Sequence, residues 1–386
     1  MDKRLLVLAF GMFAIGTDGF VMAGVLPEIA KAFDVSIAVA GQVTTAYALS
    51  YALLAPSIAA IAGNVPRKTL LLLGMTVFVV ANLATAAAPN FVFALLTRVA
   101  AGFGAAMFAP TASGAGTMIV PAHQRGFALS IVIGGLTVAT ALGSPMGSMI
   151  GGLGDWRWTM IFVSSLGAAA FLGVTVLLRD IPMPPALSLA KRVAPLTDSR
   201  IFLTLLTTLL SMAGFFTVYT YFSVVFDRVI GGNALVLGAL LVLWGASGTF
   251  GNLMTGRVVD RIGSRKVLLT VLTLAAIDMA LFSWTGANVW TAAVSIMIWG
   301  TFSWGVQVPQ QSRLVSLAPT LAPVVLGLNT AGTYLGVTAA GILGAIGTQT
   351  VGAHNLGLLG AFLVLLALAG SEFATWRITS SALATS

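Results

Sequence analysis

Two opposite charges lie inside segments that are otherwise apolar. Asp18 is near the middle of the stretch from Leu5 to Pro27, and Arg98 lies within the apolar run 91–118. A charged side chain in the hydrocarbon core of a membrane is costly and marks a functional site by default. A carboxylate in a low dielectric can exchange a proton for a positive partner, whereas arginine does not deprotonate in proteins. We therefore expect Asp18 to carry a coupling proton whose affinity Arg98 controls.

A static ion pair between the two helices is the alternative interpretation. With a helical rise of about 1.5 Å per residue, Asp18 lies roughly 14 Å from Pro27 and Arg98 roughly 12 Å from Asn90, so both charges are expected at similar depth. Substitution of each charge separates the two interpretations. Loss of proton coupling in a well-folded protein indicates a mechanistic role, and loss of expression indicates a structural one.

The composition is that of a protein with many membrane-spanning segments. Hydrophobic residues make up 58% of the 386 residues, charged residues make up 8%, and the mean hydropathy is +1.01. Backbone inside a bilayer must satisfy its own hydrogen bonds, and the alternation typical of outer-membrane strands is absent. We predict an all-α membrane protein with twelve transmembrane helices in two pseudo-symmetric six-helix bundles around a central cavity.

The predicted helices are apolar runs that approach or exceed the roughly 20 residues needed to cross a bilayer. They are 5–27, 38–62, 69–87, 91–118, 127–150, 158–178, 201–226, 235–256, 267–286, 289–312, 323–348 and 355–376. The long polar stretch between the sixth and seventh runs contains four prolines, which oppose a continuous helix. This predicts an N-terminal bundle over 1–178, a cytoplasmic linker over 179–200 and a C-terminal bundle over 201–386.

Basic residues are distributed unevenly between alternate loops. With the N-terminus placed inside, fifteen of the nineteen lysines and arginines are cytoplasmic, three are external and Arg98 lies within a helix. This bias predicts an integral protein of a bacterial inner membrane with both termini in the cytoplasm. It also explains the net charge of +8, so nucleic acid is not expected as a partner. The expected partners are membrane lipids and a small-molecule substrate.

Few side chains are available for catalysis or metal binding. The chain has no cysteine, and its two histidines, His123 and His354, fall in or beside loops. No serine-elbow motif accompanies either histidine. We therefore expect neither a metal site, nor an enzyme, nor a cofactor other than a proton as coupling ion. The first apolar run is too long for a secretory signal core and is expected to remain as the first helix.

The two halves resemble each other in sequence. Arg67 and Lys68 occupy the same position between the second and third helices as Arg265 and Lys266 occupy between the eighth and ninth, and Gly102 and Gly300 match at the same offset. Internal repeats of this kind are typical of secondary transporters that rock one half against the other around a central site.

Several motifs resemble the major facilitator superfamily, specifically its twelve-helix drug:proton antiporter (DHA1-like) branch. The loop between helices eight and nine is similar to the family's gate loop in the residues Gly256, Asp260, Arg261, Gly263, Arg265 and Lys266. Asp18, nine residues before Pro27, and Arg98, followed by Gly102 and Gly104, resemble the family's motifs in helices one and four. The run Asp155-Trp156-Arg157-Trp158 resembles an external turn of the family.

One family feature is missing from this chain. The loop between helices two and three, residues 62–68, keeps the basic pair Arg67 and Lys68 but has no acid. In the family this carboxylate pairs with basic residues of the opposite half and holds the cytoplasmic side closed. The resemblance therefore implies an asymmetric latch, in which only Asp260 of the C-terminal gate loop takes that role. It also implies a monomer.

The fifth helix carries a partial match to the antiporter glycine and proline motif. Pro145 removes a backbone hydrogen bond and favours a kink, so with Gly143 and Gly147 it is a candidate hinge between the halves. A plain structural kink is the alternative. Two further acids lie in helices: Asp278 is expected to have a structural or lipid-interface role, and Glu372 to reach the interface at the end of the last helix.

The expected cavity helices contribute aromatic side chains and few polar ones. The candidates are Tyr47, Tyr51, Phe215, Phe216, Tyr219, Tyr221, Phe222, Trp244, Asn252, Trp304, Gln307, Asn329 and Tyr334. Such a lining favours amphipathic or aromatic molecules, although many helix aromatics face lipid or packing surfaces instead.

These observations predict a proton-coupled transporter that exports small hydrophobic or amphipathic compounds by alternating access, as in multidrug efflux. Efflux of a polar metabolite such as a sugar, nucleoside or amino acid is the close alternative. A receptor or a passive channel is a remote one, because neither a signalling domain nor a symmetric charged pore lining is evident.

Overall fold

The computed structural model describes residues 2–62, 65–121, 124–179, 181 and 189–383. Helices account for nearly all of this part of the chain, and it contains no β-strand, which confirms the predicted all-α membrane fold. Gly63 and Asn64 of the second loop, His123 and most of the proline-rich part of the predicted linker lie outside the described residues. The predicted division into bundles at 1–178 and 201–386 stays a prediction.

Six long helical spans precede the predicted linker. They are α1 (Lys3–Gly24), α2 (Ile37–Ile58), α3 (Arg67–Ala86), α4 (Phe91–Met118), α5 (Arg125–Leu153) and α6 (Trp156–Leu177). A short helix, Leu26–Ala32, follows α1 directly and has Pro27 in its first turn, where proline is compatible with helix geometry. Each of the six spans falls on one of the predicted apolar runs.

Six further helices follow in the second half of the chain. They are α7 (Ser199–Thr220), α8 (Ala234–Ile262), α9 (Ser264–Ala280), α10 (Val289–Leu317), α11 (Pro319–Thr350) and α12 (Ala353–Ile378). In the described residues, every one of the twelve except α9 is long and apolar enough to cross a membrane. Helix α9 has 17 residues, and the one-turn helix Phe282–Thr285 extends it after a break at Leu281.

The first helix of each half begins with the same capping arrangement. The Asp2 carboxylate accepts a hydrogen bond from the backbone N–H of Arg4 at 2.9 Å and pairs with the Arg4 guanidinium at 2.6 Å. Asp198 and Arg200 repeat these contacts at 2.9 and 2.7 Å at the start of α7. The hydrogen bonds from Arg200 lower the pKa of Asp198, so the cap stays ionised at neutral pH and satisfies the free N–H groups of the helix end.

The chain forms two compact units. The first comprises Met1–Ser188 with Gly232–Gly245, and the second comprises Leu189–Gly231 with Ala246–Ser386. Helix α8 is therefore shared, since its first twelve residues belong to the first unit and the rest belong to the second. Within the first unit, the close neighbours of α8 are on α5: Gly238 lies against Met149 and Gly245 against the backbone of Thr140.

Small residues bring α1 and α5 into close contact in the first unit. A side chain at Gly135 would meet the carbonyl oxygen of Ala9, one at Gly143 would meet Thr17, and one at Gly147 would lie 2.6 Å from Val21. Between Gly135 and Gly147 the backbone of α5 widens into a π-helical turn at Ala139–Gly143, closed by a hydrogen bond from the Ser144 N–H to the Ala139 carbonyl. A π-turn leaves room for one extra residue, and Pro145 lies two residues after it.

Candidate functional site

The two intramembrane charges form a direct ion pair in the first unit. Nη1 of Arg98 on α4 lies 2.6 Å from Oδ1 of Asp18 on α1, and the two side chains are 1% and 0% exposed. Asn82 of α3 completes the cluster: its amide nitrogen donates to Asp18 Oδ2 at 3.3 Å, and its amide oxygen accepts from Arg98 Nη1 at 3.0 Å. Three helices thus contribute one polar side chain each to a fully buried site.

Tyr47 of α2 covers the guanidinium group. The Arg98 carbon Cζ lies 4.7 Å from the centroid of the Tyr47 ring, which places the cation over an aromatic face. Arg98 Nε is buried and has no hydrogen-bond partner in the described part of the chain. The guanidinium therefore has three kinds of neighbour: a carboxylate, a carboxamide oxygen and an aromatic ring. Its Nε–H group makes no hydrogen bond to any of them.

This arrangement fits both interpretations of the charge pair that the sequence left open. If Asp18 takes up a proton, the neutral acid binds Arg98 far less strongly. Arg98 then keeps the Asn82 oxygen and the Tyr47 ring as neighbours, although no anion balances its charge. The same contacts also make a stable structural pair between α1 and α4. The roles of Asp18 and Arg98 in coupling remain predictions.

Close packing around α4 holds Arg98 in place. A side chain at Gly102 would meet the backbone oxygen of Tyr47 on α2, and one at Gly104 would lie 2.7 Å from the backbone oxygen of Gly74 on α3. The Ser50 hydroxyl also donates to the Val99 carbonyl at 2.7 Å. The two glycines of the arginine motif therefore allow α2 and α3 to approach the helix that carries Arg98.

We expect Gly102→Ala to destabilise the protein by about 1–3 kcal/mol, because the added methyl group meets backbone that cannot rotate away. Gly114 is the matched control, since it lies in the same helix and has open space where a side chain would extend. Gly114→Ala is expected to be neutral or slightly stabilising. Thermal unfolding of the purified variants in detergent measures both, and equal effects at the two positions would contradict the packing explanation.

The gate-loop residues lie at the junction of α8 and α9 in the second unit. Asp260, Arg261 and Lys266 are exposed, and the described residues provide no ion pair to Asp260. Arg265 instead pairs with Glu372 of α12 at 2.6 Å. Glu372 was expected to reach the membrane interface, and this partner was not predicted because nothing in its local context points to a residue so distant along the chain. The gate role of this loop stays a prediction.

Arg313 follows the predicted run 289–312 directly and is one of the fifteen basic residues assigned to the cytoplasmic side, but the structure places it inside a helix. It lies within α10 and is buried, and its guanidinium donates to the Ser371 hydroxyl and the Thr375 hydroxyl of α12, each at 3.2 Å. The described residues place no carboxylate within ion-pair distance of it. Arg313 lies directly after the predicted apolar run. The sequence did not show whether the helix ends before Arg313 or continues past it.

Gly263 has a backbone conformation that other residues rarely adopt. Its φ is +84° and its ψ is 155°, a region open essentially to glycine alone. Gly256 of the same motif is inside α8 and has open space where a side chain would extend. We expect Gly263→Ala to cost about 1–3 kcal/mol and Gly256→Ala to be tolerated. Thermal unfolding of the two variants tests this, and a tolerated Gly263→Ala would show that the motif glycine is not needed for the turn.

The candidate cavity residues are divided between the two units, and their role in a cavity stays a prediction. Those in the first unit are Tyr47, Tyr51 and Trp244, and the others, Phe215, Phe216, Tyr219, Tyr221, Phe222, Asn252, Trp304, Gln307, Asn329 and Tyr334, belong to the second. Tyr47 contacts Arg98, as described above, and the Trp244 ring lies 6.3 Å from that of Phe20. Tyr51 is buried, whereas Asn252, Trp304, Gln307 and Tyr334 are half-buried.

Two groups in the second unit were only partly identified from the sequence. One is an aromatic cluster, in which Tyr219 and Phe222 lie 6.4 and 6.2 Å from Trp299. The other is polar: Thr208 donates to Asn329 at 2.8 Å, and Gln310 donates to Thr208 at 3.1 Å. Neither Trp299 nor Gln310 was expected among the candidates, because a residue type alone does not say which face of a helix it occupies.

Comparison with known proteins supplies the family. The model described as Major Facilitator Superfamily matches residues 8–341. The inner membrane transport protein YdhP of Escherichia coli (strain K12) is 30% identical over 372 residues, covering 95% of each chain. A protein named "Probable sugar efflux transporter" of Helicobacter pylori (strain J99) is 25% identical over 374 residues, covering 96% of this chain and 95% of that one.

A solved structure shows the same fold. The crystal structure of a D-xylose-proton symporter matches with a TM-score of 0.77 at 14% identity and covers 96% of both chains. At this identity the match speaks for the two-domain fold alone. The family model covers most of the chain, and the transport proteins named above match it over nearly their whole length. The protein is therefore an integral membrane transporter, not an enzyme, and belongs to the major facilitator superfamily.

Proposed function

We propose that the protein is a proton-coupled exporter of small hydrophobic or amphipathic compounds, working by alternating access in a bacterial inner membrane. The buried cluster of Asp18, Arg98 and Asn82 is the observation that carries this proposal. A transporter that only binds and releases an apolar solute has no need of a carboxylate in the interior of its first helix, where its placement is costly. The same site is well suited to bind and release a proton.

The coupling step follows from the contacts of the cluster. In the proton-free state Asp18 is held by Arg98 and Asn82, and these contacts tie α1, α3 and α4 together. Protonation removes the charge on Asp18 and weakens its bond to Arg98, so the helices are free to adopt a different arrangement. Substrate binding is favoured in one of the two states, and exchange of proton for substrate drives the alternation between them.

Inward movement of protons drives outward movement of substrate in this proposal. The membrane potential supplies about 2.3 kcal/mol per charge for each 100 mV, so one proton per substrate sustains a gradient of more than tenfold. Asp18 alone is sufficient for this stoichiometry. The proposed orientation has both termini in the cytoplasm, as the distribution of basic residues favours, and the proposed functional form is a monomer surrounded by lipid.

A sugar or another polar metabolite is the second candidate substrate class. The Helicobacter pylori relative, which covers nearly the whole chain, carries the name of a sugar efflux transporter. The second unit also holds a buried group of uncharged polar side chains, Thr208, Gln310 and Asn329, of the kind that binds hydroxyl groups. The aromatic candidates Phe216, Tyr219 and Trp304 favour the first class, since dispersion and stacking with apolar molecules need few polar contacts.

Transport by the purified protein in proteoliposomes with an imposed pH gradient tests the proposal. The compounds are lipophilic cations, neutral antibiotics and sugars, each measured with the gradient intact and collapsed by a protonophore. Gradient-dependent accumulation of a hydrophobic compound against its own gradient supports the first candidate, and accumulation of a sugar alone supports the second. Transport that ignores the pH gradient for every compound contradicts proton coupling.

A further inference from the structure

A second carboxyl group is buried in the second unit. Asp278 on α9 is 8% exposed, and its Oδ1 accepts a hydrogen bond from the hydroxyl of Ser295 on α10 at 2.5 Å. Its other oxygen, Oδ2, is also buried and has no hydrogen-bond partner within the described part of the chain. The surroundings are apolar and aromatic: Phe282 and Trp299, one helical turn from Asp278 and Ser295 respectively, have ring centroids 5.6 Å apart.

The helices packed against Asp278 provide no opposite charge near it. Helix α9 contacts α10 and α12, and the charged residues of these three helices all lie towards the Ser264 end of α9. They are Arg265, Lys266, Arg313, Glu372 and Arg377. At about 1.5 Å per residue, Arg265 is roughly 20 Å from Asp278 along α9, and Arg313 is roughly 27 Å from Ser295 along α10.

The other end of α9 has a charged group of its own. The short segment Ala353–Asn355 packs against the one-turn helix Phe282–Thr285. Nε2 of His354 donates to the Asp227 carboxylate at 2.6 Å, and its Nδ1 accepts from the Arg228 guanidinium at 3.2 Å. These three side chains are exposed or half-buried and bind each other. Asp278 thus lies between two charged ends without a counter-ion, in contrast to Asp18, whose charge Arg98 compensates.

Two hydroxyl groups connect Asp278 to the Thr285 end of the helix. Ser295 donates to Asp278 and accepts from the hydroxyl of Thr285 at 3.2 Å. Thr285 is half-buried, and its carbonyl accepts from the exposed Thr291. A hydroxyl both donates and accepts. When the Thr285 oxygen takes up a proton, it passes its original proton to Ser295, and Ser295 passes its own proton to Asp278. The carboxylate becomes the neutral acid, and both hydroxyls are restored.

We propose that Asp278 is a second proton-binding site, in the unit that does not contain Asp18, and that protons reach it through Ser295 and Thr285. An uncompensated carboxylate in this environment is costly, and the usual response of such a group is to bind a proton. In the proposed orientation the Thr285 end of α9 faces the outside, which is the side of proton entry. The inference does not depend on Asp18, since its site and its hydroxyl path are separate.

Infrared spectroscopy of the full-length protein in lipid, with the proton as the only ligand, tests this proposal. We expect a protonated-carboxyl band that changes intensity across about pH 5–9, because buried carboxyl groups in proteins can titrate about 3–5 units away from the ordinary aspartate value of about 3.9. The part of the band that belongs to Asp278 should remain in Asp18→Asn, which removes the proton site of the proposed function. It should be lost when Asp278→Asn, in which the amide oxygen still accepts from Ser295, is added to that variant. No change in Asp278→Asn would overturn the proposal, as would a band of constant intensity across this range, which would indicate a permanent structural hydrogen bond.

Ser295→Ala provides a second measurement in case Asp278→Asn does not fold. Loss of the hydroxyl removes the hydrogen bond to Asp278, so we expect the carboxyl band to shift in frequency and its hydrogen–deuterium exchange to slow several-fold. Ser303→Ala is the matched control, because Ser303 is a buried serine of the same helix that donates to its own helix backbone. Equal exchange rates in the two variants would show that protons reach Asp278 by another path. These experiments measure protonation and not transport. A negative result would therefore contradict the Asp278 site without contradicting the proposed export function.

Discussion

Asp18→Asn is expected to abolish transport driven by a pH gradient, while movement of substrate down its own gradient continues. The amide is nearly the same size as the carboxyl and keeps a hydrogen-bond acceptor for Arg98, but it neither binds nor releases a proton. Alternating access without proton exchange equilibrates the substrate instead of concentrating it. The measurement is accumulation of a transported compound in proteoliposomes with and without the gradient, together with exchange of labelled for unlabelled compound.

Asp34→Asn is the matched control for this prediction. Asp34 is exposed and has a φ of 52°, a left-handed conformation that asparagine accommodates, so the same chemical change should leave transport intact. Accumulation by Asp18→Asn at the level of the unmodified protein would show that the proton binds elsewhere. Loss of exchange together with accumulation, in protein that is not recovered in folded form, would favour the static ion pair.

The two halves of the ion pair are expected to differ in their effect on stability. Removing one partner of a buried pair leaves an uncompensated charge and costs about 3–5 kcal/mol. In Asp18→Asn that charge is on Arg98, which does not lose its proton. In Arg98→Gln the remaining Asp18 can be neutralised by a proton from water, so the loss should be smaller. Thermal unfolding of both variants in detergent measures the difference.

The double variant Asp18→Asn with Arg98→Gln gives an independent check. It leaves no charge in the cluster and retains hydrogen-bonding groups that Asn82 can engage. We expect it to unfold at a higher temperature than Asp18→Asn alone. Equal stability of the two single variants, or a double variant that is less stable than both, would contradict the view that the unpaired guanidinium is the main cost.

The number and placement of helices could be predicted because bilayer thickness fixes the length of an apolar run. Helix α9 was predicted as the unbroken run 267–286, whereas the structure has a break at Leu281 that no proline or glycine announces. The similar depth of Asp18 and Arg98 followed from counting residues along two helices. Their direct contact also depends on Gly102 and Gly104, whose role in packing cannot be read from a sequence rich in glycine.

Other parts of the site could not be predicted because they depend on which face of a helix a residue occupies. Asn82 is a neutral side chain in an apolar run, so it lacks the strong signal of a charge, yet it bonds to both Asp18 and Arg98. Tyr47 was expected in a substrate cavity, and its contact with the Arg98 guanidinium was not expected. Glu372 and Arg313 are placed by contacts with residues distant in the chain, which neither hydropathy nor local motifs specify.

The π-turn at Ala139–Gly143 determines which face of the following part of α5 lies against α1. Each residue of an α-helix turns the following ones by about 100°, and a π-turn absorbs one residue more than a regular turn. A one-residue deletion within Ala139–Gly143 that restored a regular helix would therefore leave Gly147 facing α1. Closing the π-turn at unchanged chain length would instead rotate Gly147 and the rest of the helix by about 100°. Among homologues, a segment that is one residue shorter here should form a regular helix with the same face towards α1.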